Sequence, residues 1–150
     1  MRNTVILFTI LMIATSCGEN REVNLGCKYR LINSASFSDL TIVKEHNTVV
    51  VDGHILDYTF DSIFIVVAQR PRDSIPNIKA MNYSEATEAF EKSTFRQYWI
   101  INKKEKSEYS LDTLSNLARY SNVYGPFKKG DYLRKREELN VPQKLVLKEE

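Results

Sequence analysis

The chain has 150 residues, 43% of them hydrophobic, and a formal net charge of +2. That length suits one domain with a core of its own. With 21 basic against 19 acidic residues there is no basic excess suited to nucleic acid and no acidic tail, so nucleic acid is not an expected partner.

The chain opens on MRNTVILFTILMIATSC. Arg2 supplies a positive start, and residues 5–14 form an apolar run of signal-peptide length. Crossing ~30 Å of hydrocarbon would need about 20 apolar residues. Ala14, Thr15 and Ser16 are small and stand directly before Cys17. The segment resembles the lipobox of bacterial lipoproteins, departing from it at Ala14, where the commonest version has Leu. The resemblance implies a signal peptide over residues 1–16. It also implies lipidation of Cys17 by a diacylglycerol on sulfur and a fatty-acyl chain, such as palmitate, on the new amine. Two or more chains hold a protein firmly to lipid. The expected location is the cell envelope, on the outer membrane of a Gram-negative bacterium, with the membrane face left open. Removing the first 16 of 150 residues leaves 134, with 20 basic and 19 acidic. Residues 17–26 read as a polar tether, in which Glu19 and Glu22 resemble surface-export signals of Bacteroidetes-type lipoproteins. Residues 27–150 read as a single globular domain. Once Cys17 is lipidated, Cys27 has no partner for an internal disulfide, and it reads as a small buried strand residue.

Residues 27–33, CKYRLIN, alternate like a half-buried strand, with Cys27, Tyr29 and Leu31 on one face. Residues 34–38 form a turn, and residues 39–45 a second strand with Leu40 and Ile42 inward. Residues 48–51, Asp52-Gly53 and residues 54–60 carry the signal of a two-residue hairpin. Residues 62–69, SIFIVVAQ, are continuously apolar and predict a central strand covered on both faces. The two prolines in residues 70–80 predict a loop. A helix follows, capped by Asn82 with Glu85 three residues on and with Tyr83, Ala86, Ala89 and Phe90 on one face. Residues 96–102 predict a strand, with a short one near Tyr109. Leu111, Leu114, Leu117 and Ala118 stand at helical spacing behind Ser110 and predict a second helix. Residues 123–126 predict a strand, residues 128–140 a third helix ended by Pro142, and residues 144–148 an edge strand. The expected class is α+β: a mostly antiparallel sheet of about five to seven strands, with two to three helices in the second half, preceded by a signal peptide.

Three stretches, FDSIFIVVAQRPRDSI, FEKSTFRQYWIINKK and VYGPFKKGDYLRKREELNVPQKLVLKE, are similar to a family of small bacterial lipoproteins known only as a domain of unknown function. The resemblance runs from about Tyr29 onward, with YWIINKK and VYGPF its most recognisable pieces. It implies a lipoprotein and a compact mixed fold. It carries no catalytic residues. Residues 105–122 look like an insertion.

The functional candidates are few. His46 and His54, with Asp52 or Asp57, would have to face one way to hold a metal, and no metal or cofactor is expected. Asp52, Asp57, Asp61 and Asp73 are scattered, and no serine sits in a nucleophile elbow, so no catalytic residue is assigned. Arg70, Arg72, Lys79 and Arg96, gathered with Tyr98 and Trp99, would suit an anion or a sugar; Arg70, Arg72, Arg96 and Trp99 are the ligand-binding candidates. Ser62, Ser74 and Thr113 fit a short O-glycosylation pattern, with Ser74 the best placed. The expectation is a membrane-anchored, non-enzymatic envelope lipoprotein that binds a protein or a glycan. The alternatives are a cell-wall or glycan-acting enzyme and an inhibitor or immunity-type lipoprotein.

Overall fold

A computed structural model of the chain describes residues 22–34, 39–112 and 117–148. The strands are β1 (Val23–Gly26), β2 (Tyr29–Ser34), β3 (Asp39–Lys44), β4 (Thr48–Val51), β5 (Ile55–Phe60), β6 (Phe64–Gln69), β7 (Gln97–Asn102), β8 (Tyr109–Asp112), β9 (Leu117–Tyr120) and β10 (Val123–Phe127). The helices are α1 (Tyr83–Lys92), between β6 and β7, and α2 (Lys129–Glu138), after β10. Among the described residues no helix is long and apolar enough to cross a membrane.

The strands form three sheets, ordered β1-β2-β3-β4, β10-β7-β6-β5 and β8-β9, and neighbours pair antiparallel. The α+β class and its antiparallel character hold. Among the described residues the single sheet of five to seven strands is replaced by ten strands in three sheets, and two α-helices lie in the later part.

The continuous apolar run of β6 explains the layering. Successive side chains on a strand point to opposite faces. Ile65 and Val67, with Ile101 of β7, pack against Leu25, Leu31, Ile42 and Val51 of the first sheet. Phe64, Val66 and Ala68, with Tyr98 and Ile100 of β7, face Tyr132 of α2 and the closing segment with Val141, Leu145 and Leu147. The central sheet is therefore covered on both faces, and each fully buried Ile or Val contributes about 1.5–3 kcal/mol. Tyr98 stacks on Tyr132 with ring centroids 4.8 Å apart. Gly125 sits at φ +131, and a Cβ there would meet the Trp99 ring and the Tyr98 carbonyl at 2.8 Å, so the position admits only glycine.

Several expectations are corrected. Residues 23–26, read as the end of the tether, are β1, and Leu25 is fully buried. Cys27 is exposed rather than buried. It forms a two-residue turn with Lys28, at φ +49 and +69, and β2 starts two residues later than expected. Asp52-Gly53 does not close a hairpin: β4 pairs with β3 and β5 with β6, so the dipeptide carries the chain from one sheet to the next. Residues 109–112 and 117–120 form a β-hairpin instead of a helix, with Leu114 outside the described residues. Residues 144–148 make no strand, though Leu145 and Leu147 are buried. The expected turn over residues 34–38 lies mostly outside the described residues.

Candidate functional site

Of the basic residues expected to form a platform, Arg70 and Arg96 flank the pair Gln69↔Gln97 and both turn to the C-terminal end of α1, where backbone carbonyls engage them. Arg70 turns to the end of α1, where its Nη1 donates to the Phe90 carbonyl at 2.8 Å and its guanidinium lies 5.1 Å from the Phe90 ring. Arg96 Nη1 donates to the carbonyls of Ser93 at 3.1 Å and Phe95 at 2.9 Å. Arg72 and Lys79 are exposed on separate short helical turns, Arg72–Ser74 and Ile78–Ala80. Trp99 is half-buried against the inter-sheet core, and its Nε1 donates to Gln69 Oε1 at 2.7 Å. Gln69 is a buried junction: its Nε2 donates to the carbonyls of Asp52 at 2.5 Å and Gly53 at 2.9 Å, which pins the sheet-crossing link.

The histidines also lie apart. His46 sits in the exposed turn Glu45–Asn47 before β4, and His54 follows β4, its ring 4.5 Å from that of Phe90. The four residues of β4 between them span roughly 13 Å. The carboxylates serve local ends. Asp61 Oδ1 accepts from the backbone N–H groups of Ile63 and Phe64, both at 2.8 Å, and Asp57 accepts from the Lys148 N–H at 2.5 Å. Burial alone would raise the Asp61 pKa, but those N–H groups with Lys144 and Lys103 bring it below the ordinary value. Among the described residues no group of three or more His, Cys, Asp or Glu is arranged to hold a metal ion. Ser62 is exposed ahead of β6, and the Ser74 hydroxyl donates to the Pro71 carbonyl at 2.6 Å. Cys17 and Thr113 lie outside the described residues.

Polar chemistry gathers instead at the end of the sandwich where the β1–β2 and β3–β4 turns meet. Two lysines close the inter-sheet core there. Lys103, 9% exposed, donates from Nζ to the Leu25 carbonyl at 2.5 Å and to the Asp61 carbonyl, tying β1 to the turn after β5. Lys44, 8% exposed, donates to Ser107 Oγ, and its Nζ lies 4.9 Å from the Tyr29 ring and 4.6 Å from the Tyr120 ring. Burial pushes both ammonium groups below the ordinary lysine pKa; Cys27 and Asp61 oppose this at Lys103, and Tyr120 and Glu45 oppose it at Lys44. Tyr29, 1% exposed, accepts through its hydroxyl from Asn122 Nδ2 at 3.0 Å. Burial raises the Tyr29 pKa. Asn122 is fixed in turn by donating to the Asn102 carbonyl at 2.7 Å. Ser107 itself is half-buried, in a stretch with neither helix nor strand.

Above this cluster lies an open hollow lined by Asn24, Cys27, Lys28, Glu45 and His46. Lys28 Nζ bridges the two turns to Glu45 Oε1 at 2.8 Å, and this bond holds the Glu45 carboxyl below its usual range. Cys27, Lys28, His46 and Asn47 all have positive φ, a conformation that costs a non-glycine residue about 1 kcal/mol or more. Sequence reasoning passed over this end, although Lys44 and Lys103 each extend an inward-facing stripe of alternating residues.

No curated protein and no solved structure matches the chain. The sequence model of the family described as protein of unknown function (DUF3997) matches residues 27–150, nearly the whole folded body, and the chain belongs to that family.

Proposed function

We propose that this protein is a lipid-anchored lipoprotein of the bacterial cell envelope, and that its body is a binding module for a protein or glycan partner. The anchor is the diacylglycerol thioether at Cys17. What supports it is the spacing: the apolar run stops just before Cys17, and β1 starts at Val23, six residues later. The family match starts later still, at residue 27, so signal and tether stand outside the shared domain. What supports binding is the turn end of the sandwich. Three non-glycine residues lining an open hollow, Cys27, Lys28 and His46, hold left-handed backbone where glycine would relieve the strain. Such strain persists when the side chains themselves serve a purpose. The residues that would meet a partner are Cys27, Lys28 and His46.

The test is Cys17→Ser. The native protein should partition into detergent and carry the mass of its acyl chains. The variant should lose both and leave the membrane fraction. A variant that stays acylated and membrane-bound overturns the anchor. Cross-linking through Cys27 on whole cells tests the second half: a discrete adduct that disappears on Lys28→Glu supports a partner at the turn end, and an adduct indifferent to that change overturns it.

A further inference from the structure

We propose that Ser107 is an acyl acceptor, its hydroxyl held by the Lys44 amine so that it can attack an activated ester carbonyl and keep the acyl group. The inference goes beyond the binding reading and does not depend on the lipid anchor.

A serine hydroxyl is a weak nucleophile until a neighbouring base takes its proton. Lys44 is such a base in place: its Nζ is bonded to Ser107 Oγ from beneath, out of bulk water. The groups facing it are the Tyr29 and Tyr120 rings, with Glu45, Lys28 and Cys27 at longer range. Among the described residues no carboxylate lies within ion-pair reach of Lys44, since Glu45 is engaged by Lys28. A buried structural lysine is ordinarily paired with an acid. This one is paired with a hydroxyl. Burial lowers the Lys44 pKa, against the opposing pull of Tyr120 and Glu45, and so eases release of its proton to give the amine that acts as base. The Tyr29 ring beside the Lys44 amine is held through its hydroxyl by Asn122. The end of β3 and the loop before β8 thus meet at one oxygen, on a half-buried residue.

The step balances without a co-reactant. As the Oγ–carbon bond forms, the Ser107 proton passes to Lys44 Nζ. The carbon–oxygen bond to the leaving group breaks, and the Lys44 ammonium returns that proton to the departing oxygen. The products are an ester on Ser107 and a free alcohol. The ligand class is therefore an activated carboxylic ester.

The experiment treats the full chain, in a Cys27→Ser background that removes the exposed thiol, with p-nitrophenyl acetate. Acylated sites are located by peptide mass mapping. One acetyl group should appear on Ser107, faster as pH rises, and Ser107→Ala should abolish it. Removing a general base costs about 100-fold or more in rate, so Lys44→Met should slow acetylation by at least that factor. Lys44→Arg, which keeps a cation that cannot give up its proton, should slow it equally and guards against a folding defect in the methionine variant. Folded protein with Ser107 unmodified overturns the proposal. So does acetylation of Ser107 at an undiminished rate in a folded Lys44→Arg variant.

Discussion

Tyr124 shows how one side chain can tie stability to pH. Its hydroxyl donates to Glu105 Oε2 at 2.5 Å, and Glu105 is held by Asn102 Nδ2 at 2.7 Å. The hydrogen bond to Glu105, helped by burial, pushes the phenol pKa up to about 12. A folded-state pKa above the unfolded value of about 10 means stability that is complete below pH ~10 and is lost as pH climbs toward ~12. Tyr124→Phe should therefore cost on the order of 1 kcal/mol at neutral pH. Urea titrations of both proteins should show that gap closing between pH ~10 and ~12; a gap constant across this range would mean the bond contributes nothing. At this scale the sequence was legible in part. Leu40, Ile42 and Lys44 share one parity on β3, and Trp99, Ile101 and Lys103 share another along β7, so both buried lysines could have been found by following the stripe one step further. Ser107 carried no such signal: its partner Lys44 is 63 residues away, and only the packing of the β8–β9 hairpin beside β4 brings them together.

At the level of elements, local chemistry was readable where it closed within a few residues. Asn82 accepts from the Glu85 N–H at 3.0 Å, Glu85 Oε2 accepts from the Asn82 N–H at 3.1 Å, and α1 starts at Tyr83 as the capping box predicts. Asn82→Ala should lower stability by about 1 kcal/mol, measured by chemical denaturation; an unchanged midpoint would show that packing of Ala86 and Phe90 alone sets the helix start. Elements that depend on distant partners were misread. Asp-Gly is a hairpin signal only if the flanking strands pair, and here β3 and β6 take them instead; the left-handed residue of the link is His54, at φ +64. Residues 109–120 carry apolar residues at helical spacing, but the Tyr109 and Tyr120 rings meet edge-on at 5.4 Å across a strand pair. That cross-strand contact and the docking of β9 beside β4 outweigh a weak helical preference.

At the scale of the whole molecule, the apolar run of β6 announced a strand covered on both faces. It could not say that a second sheet covers one face and α2 with the closing segment the other. That layering has a geometric consequence for an anchored protein. Under the anchor proposed at Cys17, the chain to Val23 can reach at most about 20 Å, which would keep the start of β1 near the lipid. β1 leads from that end toward Cys27. Val51 of β4 is level with Val23 through the pairs Val23↔Leu31, Leu31↔Ile42 and Ile42↔Val51, so the proposed anchor would make Asp52 the membrane-proximal end and Cys27 the distal one. A fluorophore at Asp52→Cys, in a Cys27→Ser background, should be quenched by headgroup-labelled lipid in vesicles carrying the anchored protein. A fluorophore at native Cys27 should be quenched far less, because the length of β1, roughly 13 Å, separates it from the tethered end. Equal quenching at the two sites would mean that the body lies flat on the bilayer and that the hollow between the turns is not presented outward.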